Sequence, residues 1–125
     1  MVNSCKILLA DDDTITRRAI ETVLSDMGYR VCCVTNGDEG CARLDEMAED
    51  APQLLITDYD MPGISGQELA EYARQRFDHI KLLYTSGISR PEVTHCVKAD
   101  RESRFLKKPF RSADLRAVLE DFGLR

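Results

Sequence analysis

Apolar positions in this chain switch repeatedly between two periods, and that alternation restricts its fold more than any other feature. Cys5–Ala10 is an apolar run of strand length, the pattern of a strand covered on both faces. Ile15, Ala19, Ile20, Val23, Leu24 and Met27 then recur at helical spacing, with Gly28 placed to end the helix. Tyr29–Thr35 reads as a second strand, Asn36–Gly37 punctuates it, and Asp38–Glu49 has helical composition. Pro52 breaks that helix, and Gln53–Thr57 is a third apolar run that stops at Asp58. Pro62, Gly63 and Gly66 mark a loop before a third helix, Gln67–Phe77. Ile80–Tyr84 is a fourth strand, ending in Thr85–Ser86–Gly87; Arg90–Asp100 is a helix with a weak apolar face; Ser103–Lys107 is a short fifth strand. A last helix opens at Ser112 or Asp114 and carries Leu115, Val118, Leu119 and Phe122 on one side. Parallel strands need crossover helices, and right-handed crossovers put those helices on both faces. The expected fold is α/β: one doubly wound, five-stranded parallel sheet forming a single domain over residues 1–125.

Composition removes several classes of function. A chain of 125 residues with 43% hydrophobic and 31% charged residues can bury one substantial core. Its net charge of −5, with basic residues only in local groups (Arg101–Arg104 and Lys107–Lys108), offers no stripe for nucleic acid. No apolar stretch approaches the ~20 residues that span a bilayer, and the apolar segment near the N-terminus is too short for a secretory leader. The expected location is the cytoplasm. Five cysteines (5, 32, 33, 41 and 96) lack CxxC spacing, and the only histidines are 79 and 95. They read as small apolar residues in a reducing compartment rather than a zinc site or disulfide framework.

In open parallel sheets, ligands gather beyond the carboxyl ends of the strands. Asp11, Asp12 and Asp13 stand there after the first strand, Asp58, Tyr59 and Asp60 after the third, Thr85 and Ser86 after the fourth, and Lys107, Lys108 and Pro109 after the fifth. Adjacent carboxylates repel by about 4 kcal/mol per pair at ~4 Å in an effective dielectric of ~20. If Asp11, Asp12 and Asp58 converge and Lys108 reaches them, a formal deficit of two charges remains. A hard divalent cation, best Mg²⁺, fits that deficit. A carboxylate in such a cradle can act as a nucleophile toward phosphorus, forming an acyl phosphate. Lys108, the metal, and the Ser86 hydroxyl with a nearby backbone N–H would then meet the three phosphoryl oxygens. Asp13 reads as an N-cap for the helix starting near Thr14, Thr85 as facing the core, and Lys107 as solvated, since strand alternation turns it away from Lys108.

KILLADDD, LLITDYDMPGISG, LLYTSG and FLKKPF occur in this order along essentially the whole chain. Together they resemble the receiver domain of two-component response regulators, of CheY-like, flavodoxin-like fold. The resemblance implies that Asp58 is the phosphoacceptor, that Asp12 binds Mg²⁺ directly and Asp11 mainly through water, and that the carbonyl of Asp60 is a further ligand. It also implies Ser86 as the signalling hydroxyl, Phe105 as the aromatic switch residue, and a cis Lys108–Pro109 bond. The Asp60 side chain departs from expectation by adding negative charge beside the acceptor; it is either a solvated loop acid or a group that tunes metal affinity and hydrolysis.

The implied function is a signalling switch rather than an enzyme of turnover. A phosphohistidine on a sensor histidine kinase or histidine phosphotransfer protein donates to Asp58, Ser86 moves inward, Phe105 rotates, and the surface of the predicted fourth helix and fifth strand changes. A downstream protein target or output domain would read that surface, in the region Arg90–Arg104. The expected protein is a stand-alone receiver or a domain excised from a longer regulator or hybrid kinase, with a phosphorylation-dependent dimer left open. A phosphatase of the haloacid dehalogenase type would instead use Asp58 and Asp60 as nucleophile and acid, but it expects Thr or Val where this chain has Met61, and its first Asp follows the first strand. A pseudo-receiver would lack one of the four chemical elements present here, and a nucleotide-binding domain would carry a glycine-rich turn after the first strand.

Overall fold

The computed structural model describes residues 5–47, 50–88, 91–92 and 102–124. Five strands, β1 (Ile7–Ala10), β2 (Val31–Val34), β3 (Leu54–Asp58), β4 (Lys81–Ser86) and β5 (Ser103–Lys107), form one parallel sheet in the order β2-β1-β3-β4-β5. β1 is buried along its whole length, as are the first four residues of β3. Both lie inside the sheet and need apolar side chains on each face. β2 and β5 are the edges and are only partly buried.

Successive residues of each strand feed opposite cores. Leu8, Ala10, Leu55, Leu82 and Tyr84 pack on one face with Leu44 of α2 (Gly37–Glu46) and Leu69, Ala70 and Ala73 of α3 (Gly66–Arg76). Ile7, Leu9, Leu54, Ile56 and Leu83 pack on the other with Ile20 and Leu24 of α1 (Thr14–Asp26) and Leu115, Leu119 and Phe122 of α4 (Ser112–Phe122). Each fully buried aliphatic side chain contributes about 1.5–3 kcal/mol, so the period-2 pattern of the strands fixes both register and layering. The described helices number four; the predicted helix at Arg90–Asp100 lies almost entirely outside the described residues, as does the end of the predicted second helix at 48–49.

Local signals account for most boundaries. Asp13 caps α1, its carboxylate accepting from Thr16 N, and Gly28 follows the helix with φ +94°. Ser65 and Glu68 form a reciprocal capping box at the start of α3. Asp114 accepts from Arg111 N at the start of α4. Two expectations need correction. β4 runs on to Ser86 rather than stopping at Tyr84, because Asp58 pairs with Thr85 and Lys107 with Ser86. Ile15, expected in the buried stripe of α1, is 80% exposed, and Ala19 is exposed with it; only Ile20 and Leu24 of that stripe are fully buried, and Val23 and Met27 pack at the margin of their cluster.

Gly66 locks α3 against the end of β3. A Cβ there would lie 2.1 Å from the carbonyl oxygen of Asp58 and 2.9 Å from its carbonyl carbon, both backbone atoms that cannot rotate away. Gly87 has nothing within 4 Å of the same position. Gly66→Ala is expected to lower stability in urea denaturation by about 2–3 kcal/mol, whereas Gly87→Ala stays within about 0.5 kcal/mol.

Candidate functional site

The strand order sends the connection after β1 to one side and the connection after β3 to the other, so a crevice opens between their carboxyl ends. Ala10 pairs with Thr57, which brings Asp11 and Asp58 out side by side. Lys108 follows β5, two strands from β3; its backbone N–H donates to the Ser86 carbonyl at 2.7 Å, and its side chain crosses the top of β4. The ammonium donates to Asp11 Oδ2 at 3.0 Å and Asp58 Oδ2 at 3.3 Å.

Asp11 is almost fully buried, at 1% exposure. Its Oδ1 accepts from Asp13 N–H at 2.9 Å, and its carbonyl accepts from Arg17 Nη1 at 2.8 Å. Asp58 is partly buried, and its Oδ1 accepts from Asp60 N–H at 3.3 Å. Asp12 is exposed, yet Asp11, Asp12 and Asp58 each offer a carboxylate oxygen within 4.8 Å of the others. Burial pushes the Asp58 carboxyl above its ordinary range; Lys108 opposes the shift and the Asp11 charge adds to it. Burial also works against the charged form of Lys108, but hydrogen bonds and charge from Asp11, then from Asp58, outweigh it and raise its pKa. Both partners of one ion pair move up: burial raises Asp58, and the shared ammonium, closer to Asp11, compensates it only in part.

Three carboxylates facing one ammonium retain a formal charge of −2. An all-oxygen donor set with that surplus fits a hard divalent cation such as Mg²⁺. Of the adjacent hydroxyls, Thr85 Oγ1 is buried without a hydrogen-bond partner among the described residues. Ser86 Oγ donates to Asp60 Oδ2 at 3.4 Å and accepts from Ile88 N–H at 3.3 Å. Phe105 is partly buried, paired in register with Tyr84 and packed on the α2/α3 face. Lys107 is exposed, and the Lys108–Pro109 bond is cis.

Three features escaped the sequence reading. Arg17 holds the Asp11 carbonyl from the first turns of α1. Asp60 sends its main chain to Asp58 and its side chain to Ser86. Ile15, Ala19, Pro109 and Phe110 line an apolar groove that runs up to Lys108. Only the placement of Arg17, four residues after its cap, left a trace in the sequence; the other two depend on loops from separate strands.

Residues 7–120 match the response regulator receiver domain, and the chain belongs to that family. It is 34% identical over 110 residues to the response regulator receiver protein CpdR of Brucella abortus, covering 88% of this chain and 89% of that protein. It is 34% identical over 119 residues to chemotaxis protein CheY1 of Helicobacter pylori, covering 92% and 94%. A match of 30% identity to the sensory/regulatory protein RpfC of Xanthomonas campestris covers 98% of this chain but 17% of that protein. The crystal structure of a response regulator receiver protein from Sinorhizobium medicae superposes with a TM-score of 0.83 at 28% identity, over 98% of this chain and 96% of that one. Among the described residues, no helix is long and apolar enough to cross a membrane.

The surplus negative charge has a measurable cost. In chelator at pH 7, Asp58→Asn is expected to raise stability by about 1–2 kcal/mol, a few degrees in Tm. The sign follows from the raised carboxyl of Asp58: the folded state disfavours its charged form, so the advantage of Asn shrinks as pH falls through that carboxyl's range and wild type becomes protonated. Mg²⁺ at about ten times its Kd should stabilise wild type by about 1.4 kcal/mol and Asp58→Asn by clearly less; thermal melts with and without EDTA measure both.

Proposed function

We propose that residues 1–125 act as the phosphoacceptor receiver of a two-component phosphorelay, with Asp58 taking a phosphoryl group from a phosphohistidine on a sensor histidine kinase or histidine phosphotransfer protein. The observation that carries this reading is the Lys108 ammonium, 3.0 Å from Asp11 and 3.3 Å from Asp58, in a cluster that also includes Asp12 at the carboxyl edge of the sheet. An Asp58 carboxylate oxygen attacks phosphorus, a P–O bond forms, and the P–N bond to imidazole breaks with its electron pair leaving on nitrogen. Lys108 meets charge on the transferring oxygens, and its second contact to Asp11 keeps it aimed at that point. Mg²⁺, held by the carboxylates of Asp11, Asp12 and Asp58 and the carbonyl of Asp60, would neutralise phosphoryl charge when bound.

The acyl phosphate carries about −1.5 to −2 charge and three acceptor oxygens. Ser86 turns its hydroxyl toward them, and Phe105, beside Tyr84 in register, moves into the space released. The coupling is a two-state packing change biased by one hydrogen bond, read by a downstream protein target or output domain. The protein works in the cytoplasm as a single-use acceptor, and turnover ends with hydrolysis of its own acyl phosphate. The chain's membership in the receiver family supports this assignment over a phosphatase.

The donor docks over the cleft. Ile15, exposed on α1, and Pro109 and Phe110 beyond Lys108 form an apolar rim at the mouth of the acidic site, where a partner presenting a phosphohistidine would cover it.

Intact-mass analysis after incubation with a small acyl-phosphate donor and Mg²⁺ tests the chemistry. The expected result is one added phosphoryl group, absent in Asp58→Asn and absent with EDTA; labelling that persists in Asp58→Asn removes the acceptor assignment. Ile15→Asp is expected to slow transfer from a phosphorylated histidine phosphotransfer protein by about tenfold or more, the loss of an apolar docking contact, while labelling by the small donor is unchanged.

A further inference from the structure

Asp60 connects two parts of the site that the phosphorelay reading keeps separate, one through its main chain and one through its side chain. Its N–H donates to Asp58 Oδ1, the proposed acceptor carboxylate, while its Oδ2 accepts from the Ser86 hydroxyl at 3.4 Å. Ser86 is fully buried, and its oxygen also accepts from Ile88 N–H. A serine hydroxyl has one proton to give, and an ionised carboxylate can only accept. The proton that reaches Asp60 is therefore the one an acyl phosphate on Asp58 would need.

We propose that Asp60 is a positioning residue acting through Ser86: its carboxylate competes for the Ser86 hydroxyl and holds it in the unphosphorylated state until a phosphoryl group on Asp58 displaces it. This rests on the reading of Asp58 as acceptor. The bond is longer than the usual range of roughly 2.5–3.0 Å for O–H···O, so it is exchanged readily and biases the switch by a small factor. The same carboxylate also repels a phosphoryl group electrostatically, and that effect needs no Ser86. The two effects make different forecasts when Ser86 is absent.

A double-mutant cycle on the full chain separates them, with beryllofluoride plus Mg²⁺ as the acyl-phosphate mimic and binding followed by ¹⁹F NMR. Asp60→Ala is expected to tighten beryllofluoride binding about fivefold, the size of one modest hydrogen bond, when Ser86 is present. The gain should fall below about twofold in the Ser86→Ala background. Asp60→Asn, which keeps an acceptor oxygen, should give a smaller gain than Asp60→Ala. Without mimic or metal, the Ile88 amide resonance should move on Asp60→Ala in the Ser86 background and stay in place in Ser86→Ala. Equal gains in both backgrounds, or no gain, overturn the role of Asp60 and leave the acceptor assignment intact. Wild-type protein that takes up no beryllofluoride overturns the reading of Asp58 itself, and the proposal with it.

Discussion

A single ammonium group ties the structure together at its charged edge. Lys108 directly follows an edge strand, yet it reaches across β4 to carboxylates at the carboxyl ends of β1 and β3. Asp11 is buried, and an ionised carboxylate out of water is tolerated only when paired and hydrogen-bonded. Lys108 and the Asp13 N–H supply those partners. The sheet must hold its register for this to work, since a shift of one residue would turn each of these side chains to the opposite face. The apolar strands and the polar edge therefore constrain each other.

The pairing is deliberately incomplete in charge terms. Asp58 is left with a raised carboxyl because it is removed from water, and the shared cation only partly offsets that burial and the neighbouring Asp11 charge. A site neutralised by protein groups alone would be more stable but would have no electrostatic reason to take up a divalent ion. Under the proposed function, residual repulsion here is a trade between stability and function. Family membership places the chain among response regulator receiver domains, and two of the relatives match along most of their length.

Rigid parts surround the site and adjustable ones lie inside it. Gly66 presses α3 onto the Asp58 carbonyl with no room for a methyl group, and the Ser65–Glu68 box fixes where that helix begins. By contrast, Ser86 hangs on two long hydrogen bonds, and Phe105 is only partly buried. A fixed carboxylate beside a loosely held hydroxyl suits the proposed device, in which a local bond selects between two packings.

The alternation of apolar periods determined the parallel sheet, the burial of β1 and β3, and the arrival of Asp11, Asp58, Ser86 and Lys108 at one edge, because strand and helix periodicities are local properties that recur within a few residues. The caps at Asp13 and Ser65 are local for the same reason. Tertiary structure alone decided how far Lys108 reaches, that Ile15 projects into solvent despite fitting the stripe of α1, that β4 continues to Ser86, and that the Asp60 carboxylate meets the Ser86 hydroxyl. Each of those depends on which elements lie next to which at the end of the sheet. Contacts between residues 26 to 97 positions apart leave no periodic mark along the chain.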